Sequence, residues 1–206
     1  MQQHLLPIAL SLFLLAGAAR AAEPAGYDGD VLGMTFEAFK AKHAAGWGFK
    51  KGPYCASERS GELFLSDRDA KAGVVSCALF PTPYRPDAYR TEFEGVAADI
   101  FYQFYQDRLF RIVVNFDADQ FSRVAEKLTA KYGPPSGKHE ESYTVRLGGS
   151  FRNDILEWRC QEASATAKKY STSLFHGGFQ LQHDALNAAL AKLSDSNGQV
   201  RLTSSR

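Results

Sequence analysis

Between residues 96 and 116 the apolar positions recur at every second residue. Val96, Ala98, Ile100, Tyr102 and Phe104 are followed, after a polar break, by Phe110, Ile112, Val114 and Phe116. Period two over that length predicts a hairpin with one buried face. A three-residue loop over 106–108 sets Phe104 opposite Phe110, Tyr102 opposite Ile112, Ile100 opposite Val114 and Ala98 opposite Phe116. A two-residue loop would set Tyr102 against Arg111 and mix the faces. The longer loop needs one left-handed residue, a role that suits Asp107 better than Arg108. Before Gly95 the apolar residues, Tyr89 and Phe93, are odd-numbered, so a β-bulge at Gly95 is expected to switch the face.

After the hairpin the period changes. Phe121, Val124, Ala125, Leu128 and Tyr132 fall on one helical stripe, which Gly133 and Pro134 close. Asp117 and Gln120 read as an N-cap and capping box. A helix that follows a hairpin at once folds back over its apolar face, here the even-numbered one. Upstream, Thr35 caps a short helix over 36–44. Two alternating pieces, 62–66 and 74–80, read as an antiparallel pair joined by the charged loop 67–73. The prolines of PTPYRPD, 81–87, exclude strand pairing there. Extended pieces cover 143–151, 155–161 and 170–183, and a last helix covers 184–193. The sum predicts an α+β fold: a single antiparallel sheet of about five to seven strands with helices packed mainly on one face.

The first residues change where this domain is expected to reside. MQQHLLPIALSLFLLAGAARAAEPAG joins an apolar run from Leu5 to Leu15 to the triplet Ala19, Arg20, Ala21, the end that a signal peptidase accepts. Residues 1–21 are therefore read as a signal peptide cleaved near Ala21, and the protein as periplasmic or secreted. The run is shorter than the ~20 apolar residues that cross a bilayer, and no later segment reaches that length, so no transmembrane segment is expected. Residues 22–29 read as a flexible leader, 30–194 as one domain and 195–206 as a disordered tail. The 24 Lys and Arg nearly balance the 23 Asp and Glu, for a formal net charge of +1. Loss of Arg20 makes this 1 − 1 = 0, which removes the electrostatic case for a nucleic-acid partner.

Export permits disulfides. Cys55 and Cys77 flank a hairpin-like segment and are expected to pair. Cys160 is then left as a buried, apolar-like residue sharing a strand face with Leu156 and Trp158, or alternatively as a reactive thiol.

Candidate chemistry is sparse. FHGGF, at 175–179, has the His-Gly-Gly of an esterase oxyanion loop, but the chain lacks the Gly-x-Ser-x-Gly elbow that gives it meaning, so a glycine turn or bulge is the plainer reading. His176 and His183 are not at metal-ligand spacing, and the pairs Asp28/Asp30, Asp67/Asp69 and Asp117/Asp119 do not continue into calcium loops. No metal or cofactor is expected. Glu92, Glu94, Asp99 and Glu157 could supply paired carboxylates, or simply a solvated strand face. The odd-numbered face of the hairpin offers more. Phe101 opposite Val113 and Tyr105 opposite Leu109 interleave with Gln103 opposite Arg111 and Asp99 opposite Asn115. Left open, Phe101, Tyr105, Leu109, Val113 and Arg111 would form a binding surface with a polar rim. The alternative is a second small core under the first helix or the Cys55 to Cys77 segment.

The run FEGVAADIFYQFYQDRLFRIVVNFDADQFSRVAEKLTAKYGPP resembles a pattern of small exported bacterial proteins of unassigned function, with a hairpin, a helix and Lys-Tyr-Gly-x-Pro. LGMTFEAFKAKH before a sheet is similar to the layout of SmpA/OmlA-type assembly lipoproteins and β-lactamase-inhibitor-like proteins. This chain lacks the lipid-acceptor Cys of the first and shows only one unit of the second. The resemblance implies a non-enzymatic protein- or ligand-binding module with an envelope protein as a possible partner. An envelope hydrolase with a carboxylate or histidine site is the alternative expectation.

Overall fold

The computed structural model describes residues 25–44, 53–57, 62–79, 91–144, 149–160 and 162–203. The expected signal peptide and the PTPYRPD loop lie outside them. A small ribbon, β1 (Gly26–Tyr27) and β2 (Asp30–Val31), precedes α1 (Phe36–Lys42) and β3 (Tyr54–Ala56). Next come α2 (Asp67–Lys71), β4 (Val75–Ala78), β5 (Thr91–Phe93) and the long hairpin β6 (Val96–Tyr105) and β7 (Arg108–Asp117). After α3 (Phe121–Tyr132) run β8 (Gly137–Thr144), β9 (Ser150–Arg159), β10 (Ala163–Ser173), β11 (His176–His183) and α4 (Asp184–Thr203).

Nine strands form one antiparallel sheet in the order β3-β4-β6-β7-β11-β10-β9-β8, with β5 also beside β6. The protein is therefore mostly β, with a nine-stranded sheet and a separate two-stranded ribbon, which corrects the expected α+β fold with one sheet of five to seven strands. Strands of two or three residues such as β1, β3 and β5 are too short to carry an alternating pattern, and they exist because a neighbour pairs with them. The expected strand over 143–151 straddles the β8 to β9 connection, and 170–183 divides into the β10–β11 hairpin. Helix α4 continues to Thr203, through much of the segment expected as a disordered tail.

The even-numbered face of the hairpin is closed by α1 and α3. Thr35 caps α1, its hydroxyl accepting from the Ala38 N–H at 3.1 Å. Phe39 is wholly buried, its ring 4.9 Å from Tyr102 and 5.1 Å from Phe104. Phe121, Val124, Leu128 and Tyr132 of α3 are buried on the same face, as the stripe predicts. The capping box does not form. A 3-10 turn over Ala118–Gln120 delays the α-helix to Phe121, and the Ala118 N–H is satisfied by the Phe175 carbonyl at 2.8 Å.

Two turns depart from expectation. Glu94 and Gly95 both have positive φ and join Phe93 to Val96, so Gly95 belongs to a two-residue hairpin turn rather than a bulge. Because 93 faces 96, the odd-to-even switch is the ordinary result of turning a corner. The loop after β6 is likewise two residues, Gln106 and Asp107, both left-handed. The register from Ala98 opposite Phe116 to Gln103 opposite Arg111 is as expected, and then Phe104 faces Leu109, with Phe110 bulged out. The bulge exchanges Leu109 and Phe110 between faces: Leu109 joins the α1/α3 core, while Phe110 turns to the opposite side.

The segment 62–73 is helical where a strand and loop were expected. A 3-10 turn covers Glu62–Phe64, and the Ser66 hydroxyl caps α2 by accepting from the Asp69 N–H at 3.0 Å. Ser-Asp-Arg-Asp is an N-cap followed by acidic first-turn residues, and that local chemistry wins over four residues of alternation. The partner of β4 is β3 instead, which sets Cys55 directly opposite Cys77 in a disulfide. Cys160 is half-buried against the main core, its thiol donating to the Ala163 carbonyl at 3.1 Å.

Candidate ligand-binding cleft

The odd-numbered face of β6 and β7 is closed at one end and open at the other. At the hairpin tip Tyr105 and Phe110 pack with Leu65, Val74 and Leu190 in a second core under α2 and α4. Phe101 lies beneath the Phe64 ring, centroids 4.7 Å apart. Phe101, Tyr105 and Leu109 are 6, 4 and 0% exposed, so the apolar binding surface expected from them is not on offer. The bulge and the helical 62–71 segment are the physical cause. Val113 is half covered and Arg111 mostly buried, and both border a cleft of about 600 Å³.

Strand register builds the cleft floor. In one row across the sheet Asn115 faces Gly178, Gly178 faces Lys168, Lys168 faces Ile155 and Ile155 faces His139. In the next, Val113 faces Gln180, Gln180 faces Thr166 and Thr166 faces Glu157. Directly opposed residues project from the same side, so both rows present their side chains to the cleft. A third row, Gln103, Arg111, Gln182 and Ser164, forms its boundary toward α4. The other side of these same strands carries Leu156, Trp158, Ala163, Ala165, Ala167, Phe179 and Leu181, all core. One face of the sheet is thus apolar and filled, the other polar and partly empty.

Arg111 is the best-anchored polar group. It donates to Asp69 Oδ2 at 3.2 Å, Gln103 Oε1 at 3.0 Å and Asn187 Oδ1 at 2.8 Å. Burial lowers its pKa from the usual arginine range while the Asp69 carboxylate opposes that shift. The guanidinium stays charged at neutral pH. Gln103 is held in turn by donating to the Phe64 carbonyl at 3.0 Å. Two buried donors on this floor have no partner: Arg111 Nε and Asn115 Nδ2. Asn115 is 5% exposed. An unmet buried donor costs about 1–3 kcal/mol, so two together on a cleft floor point to a ligand or ordered water that completes them.

The other sequence candidates are dispersed. His176 is exposed on the β10–β11 hairpin, 2.8 Å from the Ser173 hydroxyl, and neither it nor His183 borders the cleft. His139, Glu141 and Glu157 do border it, a grouping that becomes visible only once β8 is paired to β9. Glu94 pairs with Lys131 at 2.9 Å, away from the cleft, and Asp30 is buried with Lys42 and His43. Among the described residues no group of three His, Cys, Asp or Glu is placed to hold a metal ion, and no helix is long and apolar enough to cross a membrane. The glycines of FHGGF have a packing role. A Cβ on Gly177 would collide with the Phe116 ring, and one on Gly178 would meet the Ser171 side chain at 2.7 Å.

Residues 71–170, just under half of the chain, match the TP0088 domain family. The match runs from the end of α2 into β10, and so takes in the hairpin, α3 and much of the cleft floor, but not α1, β11 or α4. No curated protein and no solved structure matches the chain.

Proposed function

We propose that the protein is an exported, non-enzymatic binding module and that its ligand is a small molecule held in the cleft on the α2/α4 face of the sheet. The observation that carries this reading is the pair of partnerless donors, Arg111 Nε and Asn115 Nδ2, on the floor of an open polar cleft beside an otherwise filled core. The volume of about 600 Å³ is in the range of small-molecule sites. The Cys55–Cys77 disulfide supports export, since such bonds persist in oxidising compartments. The envelope protein partner implied by resemblance has lost the apolar face on which it was to dock, and the small-ligand reading gains the cleft in its place.

For hydrolysis the cleft offers His139, Glu141 and Glu157. His139 is exposed and makes no hydrogen bond to a carboxylate among the described residues, and Glu141 accepts from the Tyr143 hydroxyl at 2.5 Å. A general base needs an orienting partner within hydrogen-bond reach, so the binding reading is preferred. A ligand-observed NMR screen against a mixed set of neutral polyols, organic anions and amines tests it. Hits on the wild type that disappear with Val113→Trp, which fills the cleft from its floor, are expected. An equal hit pattern on both proteins overturns the reading.

A further inference from the structure

The cleft is lined by charges of both signs, and what separates them is commitment. Asp69 is taken by Arg111, Glu141 accepts the Tyr143 hydroxyl, and Glu157 lies 3.7 Å from Arg159. Two of these three carboxylates are thus held by hydrogen bonds, and Glu157 by a looser, exposed ion pair. Three of the donors are not: Asn115 Nδ2 and Arg111 Nε have no partner, and the Lys168 ammonium has no carboxylate partner among the described residues. Asn115 and Lys168 stand in one row with only Gly178 between them, two strand spacings or about 10 Å from Cα to Cα. The Ser171 side chain packs over Gly178 between the amide and the ammonium, its hydroxyl donating to the His176 carbonyl at 3.3 Å. From Asn115 the floor continues along β7 through Val113 to Arg111, about 13 Å away, with the exposed Phe64 ring bordering the same space.

Resting on the reading of the cleft as a small-molecule site, we propose that its ligand is an organic anion whose acidic head lies between Asn115 and Lys168. Its apolar body runs over Val113, and a second hydrogen-bond acceptor reaches Arg111 Nε. The 95% buried amide of Asn115, unpartnered and bordering the cleft, is the group that an acidic head completes, and Lys168 supplies the opposite charge.

The test uses linear dicarboxylates from glutarate to sebacate and the neutral diols of the same lengths, each titrated into the mature protein. The Asn115 side-chain amide and Gly178 backbone amide are followed by two-dimensional NMR. The proposal expects saturable shifts with one or more of the diacids, none with the diols, and at least tenfold weaker binding for Lys168→Met. Asn115→Asp, nearly isosteric and placing a carboxylate where the head would lie, keeps the test decisive if Lys168→Met folds poorly, and it too should lose binding tenfold. Glu126→Gln, on the exposed side of α3, should bind as the wild type does. Diols that shift the same resonances as strongly as diacids overturn the anionic ligand and leave the small-molecule cleft standing. Diacids that produce no shift also overturn it, and if the Val113→Trp comparison is then negative as well, the cleft itself is refuted as a site.

Discussion

The two faces of the β6–β7 hairpin share one alternating pattern and end in opposite states. On the α1/α3 side Tyr102, Phe104, Leu109, Ile112, Val114 and Phe116 are buried in a continuous core. On the α2/α4 side apolar residues gather at the tip, where Tyr105 and Phe110 are covered, while Gln103, Arg111 and Asn115 continue into a cleft. Parity separates the faces but does not say which is filled. That depends on what the rest of the chain lays over each, and the open part is the part whose cross-strand partners are polar as well: Gln180, Thr166 and Lys168.

Substitutions should reproduce this contrast. Phe104→Ala removes a side chain 2% exposed between α1 and the sheet and should cost about 3–5 kcal/mol. Phe101→Ser, under Phe64, should fall near the low end of that range. Val113→Thr, at the cleft, should stay within about 1 kcal/mol because water reaches the new hydroxyl. Urea denaturation measures all three. A Phe101→Ser variant as stable as the wild type would return Phe101 to the surface and erase the distinction between tip and cleft.

Opening the Cys55–Cys77 bridge should cost about 3 kcal/mol, from the 22-residue separation that it closes. It ties β3 to β4 on the α1/α3 face, where Cys77 is buried in the core and Cys55 packs against it, so its loss should expose that edge of the α1/α3 core to hydrogen exchange before the α2/α4 tip. Thiol titration of the unfolded, unreduced protein should find one thiol per chain, that of Cys160. Next in size is Gly177→Ala, about 1–3 kcal/mol, because the added methyl enters the Phe116 ring on the filled face. A neutral outcome at Gly177 would mean that β11 stands farther from that core than the structure places it.

The parts of this comparison readable in the sequence are those set by short-range periodicity. The α3 stripe, the Thr35 cap, the Ala98 to Gln103 register and the cystine pairing all depend on residues close in the chain. The Leu109/Phe110 exchange was hidden because a bulge is chosen by distant residues, here Leu65, Val74 and Leu190, which draw the Phe110 ring across the sheet. The left-handed pair Gln106 and Asp107 carries no glycine signal, whereas the Asp28-Gly29 turn of the ribbon does, inside a segment whose small and polar residues read as leader. The polar halves of the cleft rows, Gln103 opposite Arg111 and Asp99 opposite Asn115, were legible. Their continuation through Gly178 to Lys168 was not, since it requires β11 to pair with β7 across more than sixty intervening residues.

The closed face can also be broken from the alkaline side. Burial, then the carboxylates of Glu94, Asp28 and Glu92, push the Tyr27 phenol up to about 12. Burial raises Tyr102 and Tyr132 further, Asp30 adding to the first and Glu94 to the second. All three belong to or pack against the α1/α3 core. A phenol whose folded pKa exceeds the unfolded value near 10 contributes stability that is fully present below pH 10 and is lost as pH rises through the folded value. Stability should therefore fall from about pH 10 upward, and the tyrosinate absorbance of these residues should rise together with loss of the native near-ultraviolet signal. Tyr27→Phe loses the hydrogen bond that the phenol donates to the Glu92 carbonyl at 2.9 Å, and so starts slightly less stable at neutral pH. It should then decline less steeply between pH 10 and 12, since one ionising group is gone. Parallel declines for Tyr27→Phe and the wild type would show that water already reaches the phenol, and that the α1/α3 face is open at the ribbon.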